Sequence, residues 1–250
     1  MRKAILAMLL ATLLILSSSA VVVTAKPEPE QKPDVEKVVF VHGEVHREMP
    51  AKPPRAGPKE KRKPGKGYKL LARGVKIQNP PSTFVINPTN DDIDNENLVV
   101  DEIKAAFNEW DENVPDVNIF IYGGLTGTSG ASRNDENVIS FVSIDGLGGT
   151  VAQATIWYNR RAKNVIEYDI EFDLDDKYEV DPDGEGGVAL TDAFDLRNIA
   201  THEAGHSLVL LDLYEDKYSE MTMYGYTTLG ETKKRSIEWG DSNGIHKLYG

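Results

Sequence analysis

Thr201-His202-Glu203-Ala204-Gly205-His206-Ser207-Leu208-Val209-Leu210-Leu211-Asp212 governs the reading of the whole 250-residue chain. His202 and His206 are four residues apart, so on an α-helix they share a face, one turn apart. That spacing lets two imidazoles grip a single Zn²⁺, with Glu203 held beside the metal as a general base. A catalytic zinc takes three protein ligands and leaves its fourth position to water, so a third ligand is needed. Asp212 is the nearest candidate. A continuous helix would carry it far beyond His206 along the axis. The helix is therefore expected to end near Val209, with the chain turning back toward the metal.

Working outward, the pattern changes to α+β. Tyr68–Ile77 and Thr83–Asn87 read as opening strands, and Leu98–Trp110 carries an apolar stripe at helical spacing. Val117–Tyr122, Val138–Ile144 and Val151–Tyr158 are strand-like. Ile166–Leu174 alternates strictly, with Glu167, Asp169, Glu171 and Asp173 on one face. The zinc motif belongs to a helix over about 192–210, and a last helix is expected over about 242–249. Strands gathered together between helices point to an α+β sheet domain over residues 67–250, large enough for its own core.

Residues 1–25 read as a signal peptide. Arg2 and Lys3 precede an apolar run from Ala4 to Leu16, and Val23 and Ala25 suit a small-residue cleavage site. The rival is an uncleaved anchor, since Ala4–Ala25 could just span a bilayer. Either reading places the rest of the chain outside the cytoplasmic membrane. Residues 26–66 hold 8 of the 13 prolines and 11 Lys+Arg against 7 Asp+Glu, the composition of a largely disordered linker or short pro-segment. Within it, His42 and His46 are also four apart, but a β-like, glycine-broken run surrounds them. Helical spacing is not expected there, and contact with the catalytic zinc in a latent form is the weaker idea. Residues 67–250 hold 15 bases and 33 acids, net −18, which argues against nucleic-acid binding and favours divalent cations. The chain has no cysteine, so no disulfide or thiolate is available to it.

The long zinc motif resembles the HExxHxxGxxH/D signature of the metzincin metalloproteases. Downstream, Met221-Thr222-Met223-Tyr224-Gly225-Tyr226 resembles their Met-turn, with Met223 the better fit because Tyr224 follows it. The ending Gly240–Gly250, closing in Leu248-Tyr249-Gly250, is similar to the last helix of a matrixin catalytic domain. This resemblance implies a metzincin-like mixed, twisted sheet with about three helices and the zinc site on the central one. It also implies a secreted zinc endopeptidase: Glu203 takes a proton from a zinc-activated water that attacks the scissile carbonyl, then returns it to the leaving amine. Substrate would add as a strand along an edge near 151–156. A monomer is expected, in contact with membrane only if the N-terminal segment stays uncleaved.

The chain departs from the family pattern at three points. Aspartate stands where matrixins usually place a third histidine. Val209 stands where the family has glycine, at a turn that calls for positive φ. Cysteine-based latency is impossible. Two alternatives remain open: an HExxH peptidase of another clan with Glu220 or Glu231 as third ligand, and a non-catalytic zinc-binding surface protein. The acidic face Glu167, Asp169, Glu171 and Asp173 and the loop Asp181–Gly187 raise a structural calcium hypothesis, the loop through Asp181, Asp183, Glu185 and Asp192, whose spacing mimics an EF-hand loop. The alternative is a solvated acidic face and a turn. The histidine-built structural zinc of matrixins is not expected, because only His42, His46 and His246 remain.

Overall fold

The computed structural model describes residues 35–44, 65–182 and 190–250. The proposed signal peptide lies outside these residues. Among the described residues no helix is long and apolar enough to cross a membrane.

A seven-stranded mixed sheet forms the centre, built from β1 (Glu36–Glu44), β2 (Ser82–Ile86), β3 (Phe120–Leu125), β4 (Asn137–Val142), β5 (Thr150–Asn159), β6 (Asn164–Asp173) and β9 (Tyr226–Thr227). Its order is β3-β2-β4-β6-β5-β1-β9. Strands β3, β2, β4 and β6 are parallel, β5 runs antiparallel to β6, and β1 runs antiparallel to β5. Two residues each of β7 (Tyr178–Glu179) and β8 (Phe194–Asp195) make a second, minor ladder.

Helix α1 (Glu96–Glu112) starts at an Asn95 cap and buries Val99, Ile103, Ala106, Phe107 and Trp110, the stripe its periodicity announces. Burying each of the larger of these side chains stabilises the fold by about 1.5–3 kcal/mol. Trp110 Nε1 donates to the Thr201 carbonyl at 2.8 Å, fixing α1 against α2 (Leu196–Ser207). Helix α3 (Trp239–Tyr249) closes the fold. The architecture is the expected α+β one, a mixed sheet with three helices.

Two local expectations fail. Tyr68–Ile77 is not a strand: Gly74, at φ +79°, turns the chain and leaves only isolated bridges, Leu70 with Leu210 and Lys76 with Asn164. The Val38–Val41 run, read as part of a disordered stretch, forms the nine-residue strand β1. As a result β5 is not an edge, since β6 and β1 flank it on either side.

Candidate metal centre

Asp195 starts the zinc-motif helix. Its carboxylate accepts from Asn198 N at 2.9 Å, satisfying a free first-turn amide, and is itself gripped by Arg235. The helix ends earlier than its sequence pattern suggests. Leu210 N donates to the Gly205 carbonyl (3.2 Å) and Val209 N to the His206 carbonyl (2.8 Å), the paired bonds of a Schellman turn. Val209 takes the left-handed position of that turn, at φ +60°. This conformation costs a β-branched residue about 1–2 kcal/mol. The neighbouring segment imposes it: Leu71 N donates to the Val209 carbonyl (2.9 Å) and Leu211 N to the Lys69 carbonyl (3.0 Å). Valine thus does here what glycine does more easily, and the turn returns Asp212 to the helix face.

The three expected ligands meet. Asp212 Oδ1 lies 3.2 Å from His202 Nε2 and 3.5 Å from His206 Nε2. An ion about 2.0–2.1 Å from each donor in tetrahedral geometry sets donors roughly 3.3 Å apart. Each imidazole is oriented from behind: His202 Nδ1 pairs with the Thr222 carbonyl (2.7 Å) and His206 Nδ1 with the Leu210 carbonyl (2.8 Å). A carbonyl can only accept, so both rings carry hydrogen on Nδ1 and turn a bare Nε2 lone pair toward Asp212. Those Nε2 atoms, Asp212 Oδ1 and both carboxylate oxygens of Glu203 are buried without a hydrogen-bond partner among the described residues. Buried polar atoms left in this way are rare and costly, and this donor set suits zinc.

The electrostatics agree with that clustering. Burial pushes the Glu203 carboxyl up to about 8. Burial likewise lowers His202 to about 4. Burial works to lower His206, but the Asp212 carboxylate beside it outweighs that effect and leaves its pKa raised. The same pairing holds Asp212 well below the usual carboxylate range despite its burial.

Below the ligands lies Met223, fully buried. A Cβ on Gly205 would collide with the Met223 sulfur and come within 2.7 Å of Trp110 Cζ2, so glycine in the helix is what lets the methionine approach. Met221 belongs to a separate small cluster with Leu213 and Tyr218. Asp241, from α3, accepts from Thr222 N (2.7 Å) and Met223 N (3.3 Å) and holds this turn in place.

Residues 76–250 match the family model described as matrixin, a peptidase family. The chain belongs to the matrixin family. Its members are metalloendopeptidases, so the resemblance read from the zinc motif, Met-turn and final helix holds at the level of family and enzyme class. The hatching enzyme of Paracentrotus lividus is 32% identical over 183 residues, covering 69% of this chain and 26% of that protein. The chain thus spans about a quarter of the length of this curated relative.

Other expected residues fall elsewhere. Glu220, an alternative third ligand, faces Lys233 at 3.4 Å, and Glu231 holds the buried Lys234. Of the calcium loop, Asp183 and Glu185 lie outside the described residues. Asp192 is bound to Lys177 (3.1 Å), and Asp181 lies beside Asp195, to whose Oδ1 its amide donates. His46 also lies outside the described residues, and exposed His246 pairs with the Ser242 carbonyl.

The acidic face of β6 is neither solvated nor clustered around a gap. Glu167 accepts from Asn134 and Asp135 amides (both 2.8 Å), Asp169 from Ser132 and Val138, Glu171 from Ala131, and Asp173 from Ile144 and Asp145. These carboxylates hold β4 at Val138 and the segments on either side of it, residues 131–135 before and 144–145 after.

Sequence reasoning missed Phe40. Its ring stacks on His206 with centroids 4.2 Å apart and planes 7° apart. It gave His42 little weight, although His42 sits fully buried against His202 and Glu203. The signal was present as a period of two, which puts Phe40 and His42 on one face of a strand.

Proposed function

We infer that this chain is an exported zinc endopeptidase in which His202, His206 and Asp212 hold the metal and Glu203 is the general base. The observation that carries this reading is the convergence of three unpartnered, oriented donors beside an unpartnered buried carboxylate. Zinc bound there would supply Lewis-acid polarisation of the scissile carbonyl and of a water. Glu203 takes the proton of the attacking water and delivers it to the departing amine. The peptide lies extended along β5 in the lane that β1 holds in this structure, its backbone taking the place of β1 on that strand's ladder. The apolar N-terminal segment and the extracellular character of the family support export.

Two measurements test this reading. Purified chain should hold one zinc, and Asp212→Ala should lose it; full retention would remove Asp212 as a ligand. Glu203→Gln should keep the zinc while cleavage of unfolded protein disappears. Cleavage at the unaltered rate would end the role given to Glu203.

A further inference from the structure

This inference rests on the zinc-peptidase reading above. β1 lies in the lane along β5 that a peptide needs. It pairs antiparallel from Glu36 opposite Tyr158 to His42 opposite Ala152, and its other edge meets β9, with Gly43 opposite Tyr226. Phe40 and His42 turn inward, whereas Val39 and Val41 are 41% and 46% exposed on the opposite face. Phe40 covers His206. His42 stacks on His202 with centroids 3.9 Å apart, and its Nδ1 lies 3.3 Å from Glu203 Oε1.

Neither ring nitrogen of His42 has a hydrogen-bond partner among the described residues, although the residue is fully buried. Leaving such an atom unsatisfied is costly, so a histidine placed this way needs something to bind. Donor atoms of His42, His202 and Glu203 all lie within 4.8 Å of one another, and His202 is shared with the trio that includes His206 and Asp212. His42 therefore adjoins the metal cluster on the Glu203 side, where the attacking water must stand.

We propose that His42 is a fourth protein ligand of the zinc and that β1 fills the substrate lane, so that this fold is a latent form of the enzyme. A chain without cysteine has no thiolate for that position, and a neutral imidazole serves a zinc equally well. Activation is then a ligand exchange, water for His42, coupled to the departure of β1 from β5 and β9. No covalent bond at the metal site need break.

The test uses the zinc-loaded full chain, its His42→Ala variant, and a Val38→Pro/Val39→Pro variant. Adjacent residues of a strand direct their N–H groups to opposite edges, so one of the two prolines must break the β5 ladder. X-ray absorption at the zinc edge should count three imidazoles in the unaltered chain and two in both variants. Cleavage of an unstructured peptide should rise at least tenfold in both. Equal imidazole counts in the unaltered chain and His42→Ala would overturn the ligand assignment. Cleavage by the unaltered chain as fast as by the variants would overturn latency. If the counts fall as expected but no form cleaves peptide, the His42 ligand stands and the peptidase reading is what fails.

Discussion

Along β6, Glu167, Asp169, Glu171 and Asp173 are almost wholly buried, and each accepts at least one backbone N–H from the segments that flank β4. Around α2, His202, Glu203, His206 and Asp212 are buried to a similar degree, yet the atoms they turn toward one another have no donor. Both groups read in sequence as places for a cation. The difference between them is satisfaction. Carboxylates that already hold amides have little left to offer an ion, whereas oriented lone pairs without a donor among the described residues are suited to one. Burial and charge alone do not separate the two cases; the count of unpartnered atoms does.

The comparison can be broken most severely at Glu203. Glu203→Gln should lower peptide cleavage by about 10²–10⁴-fold with zinc content unchanged, measured in the fastest-cleaving form of the chain. On the other side, Glu167→Gln sets an amide NH₂ against the Asn134 or Asp135 amide. It should cost about 1–3 kcal/mol of stability in denaturant unfolding while leaving bound zinc at one equivalent. Zinc loss from the folded Gln variant would show that β6 serves the metal after all. Gly205→Ala should destabilise by a similar amount, about 1–3 kcal/mol, because the new methyl group meets Met223 and Trp110.

A pH titration sharpens the contrast further. Burial raises Asp169 to about 7 from its ordinary 3.8, so between these values the folded chain binds more protons than the unfolded one. Its contribution to stability is therefore present below about pH 4 and is lost as pH rises toward 7. Unfolding midpoints of Asp169→Asn should lack this decline; an unchanged pH slope would refute it. The smallest effect is expected at Val209→Gly. Relief of about 1–2 kcal/mol of strain opposes the loss of a buried valine side chain, about 1.5–3 kcal/mol. The net change in melting temperature should be slight and downward.

How much of this was legible in the sequence follows from where each constraint originates. His202, Glu203 and His206 are set by helical period, and Asp212 by the reach of a chain that must turn back, so all four could be read locally. Val209 was visible as a departure, but its resolution was not, because the brace comes from Lys69 and Leu71 far upstream. The alternation of β6 was plain, yet its amide donors lie on β4 and in the segments on either side of it, so their role could not be read from the strand. β1 was obscured for another reason: the four β-prone residues Val38–Val41 sit inside a stretch rich in proline and lysine, and average composition outweighed them. Its partners, β5 and β9, are more than a hundred residues away.

β1 belongs to the same chain as the groove it fills, and that has a kinetic consequence. A tethered segment presents itself at about millimolar local concentration, whatever the concentration of the protein. Dilution would release a separate inhibitor, but it leaves this one in place. Incoming peptides face an internal competitor whose grip no change in abundance can loosen.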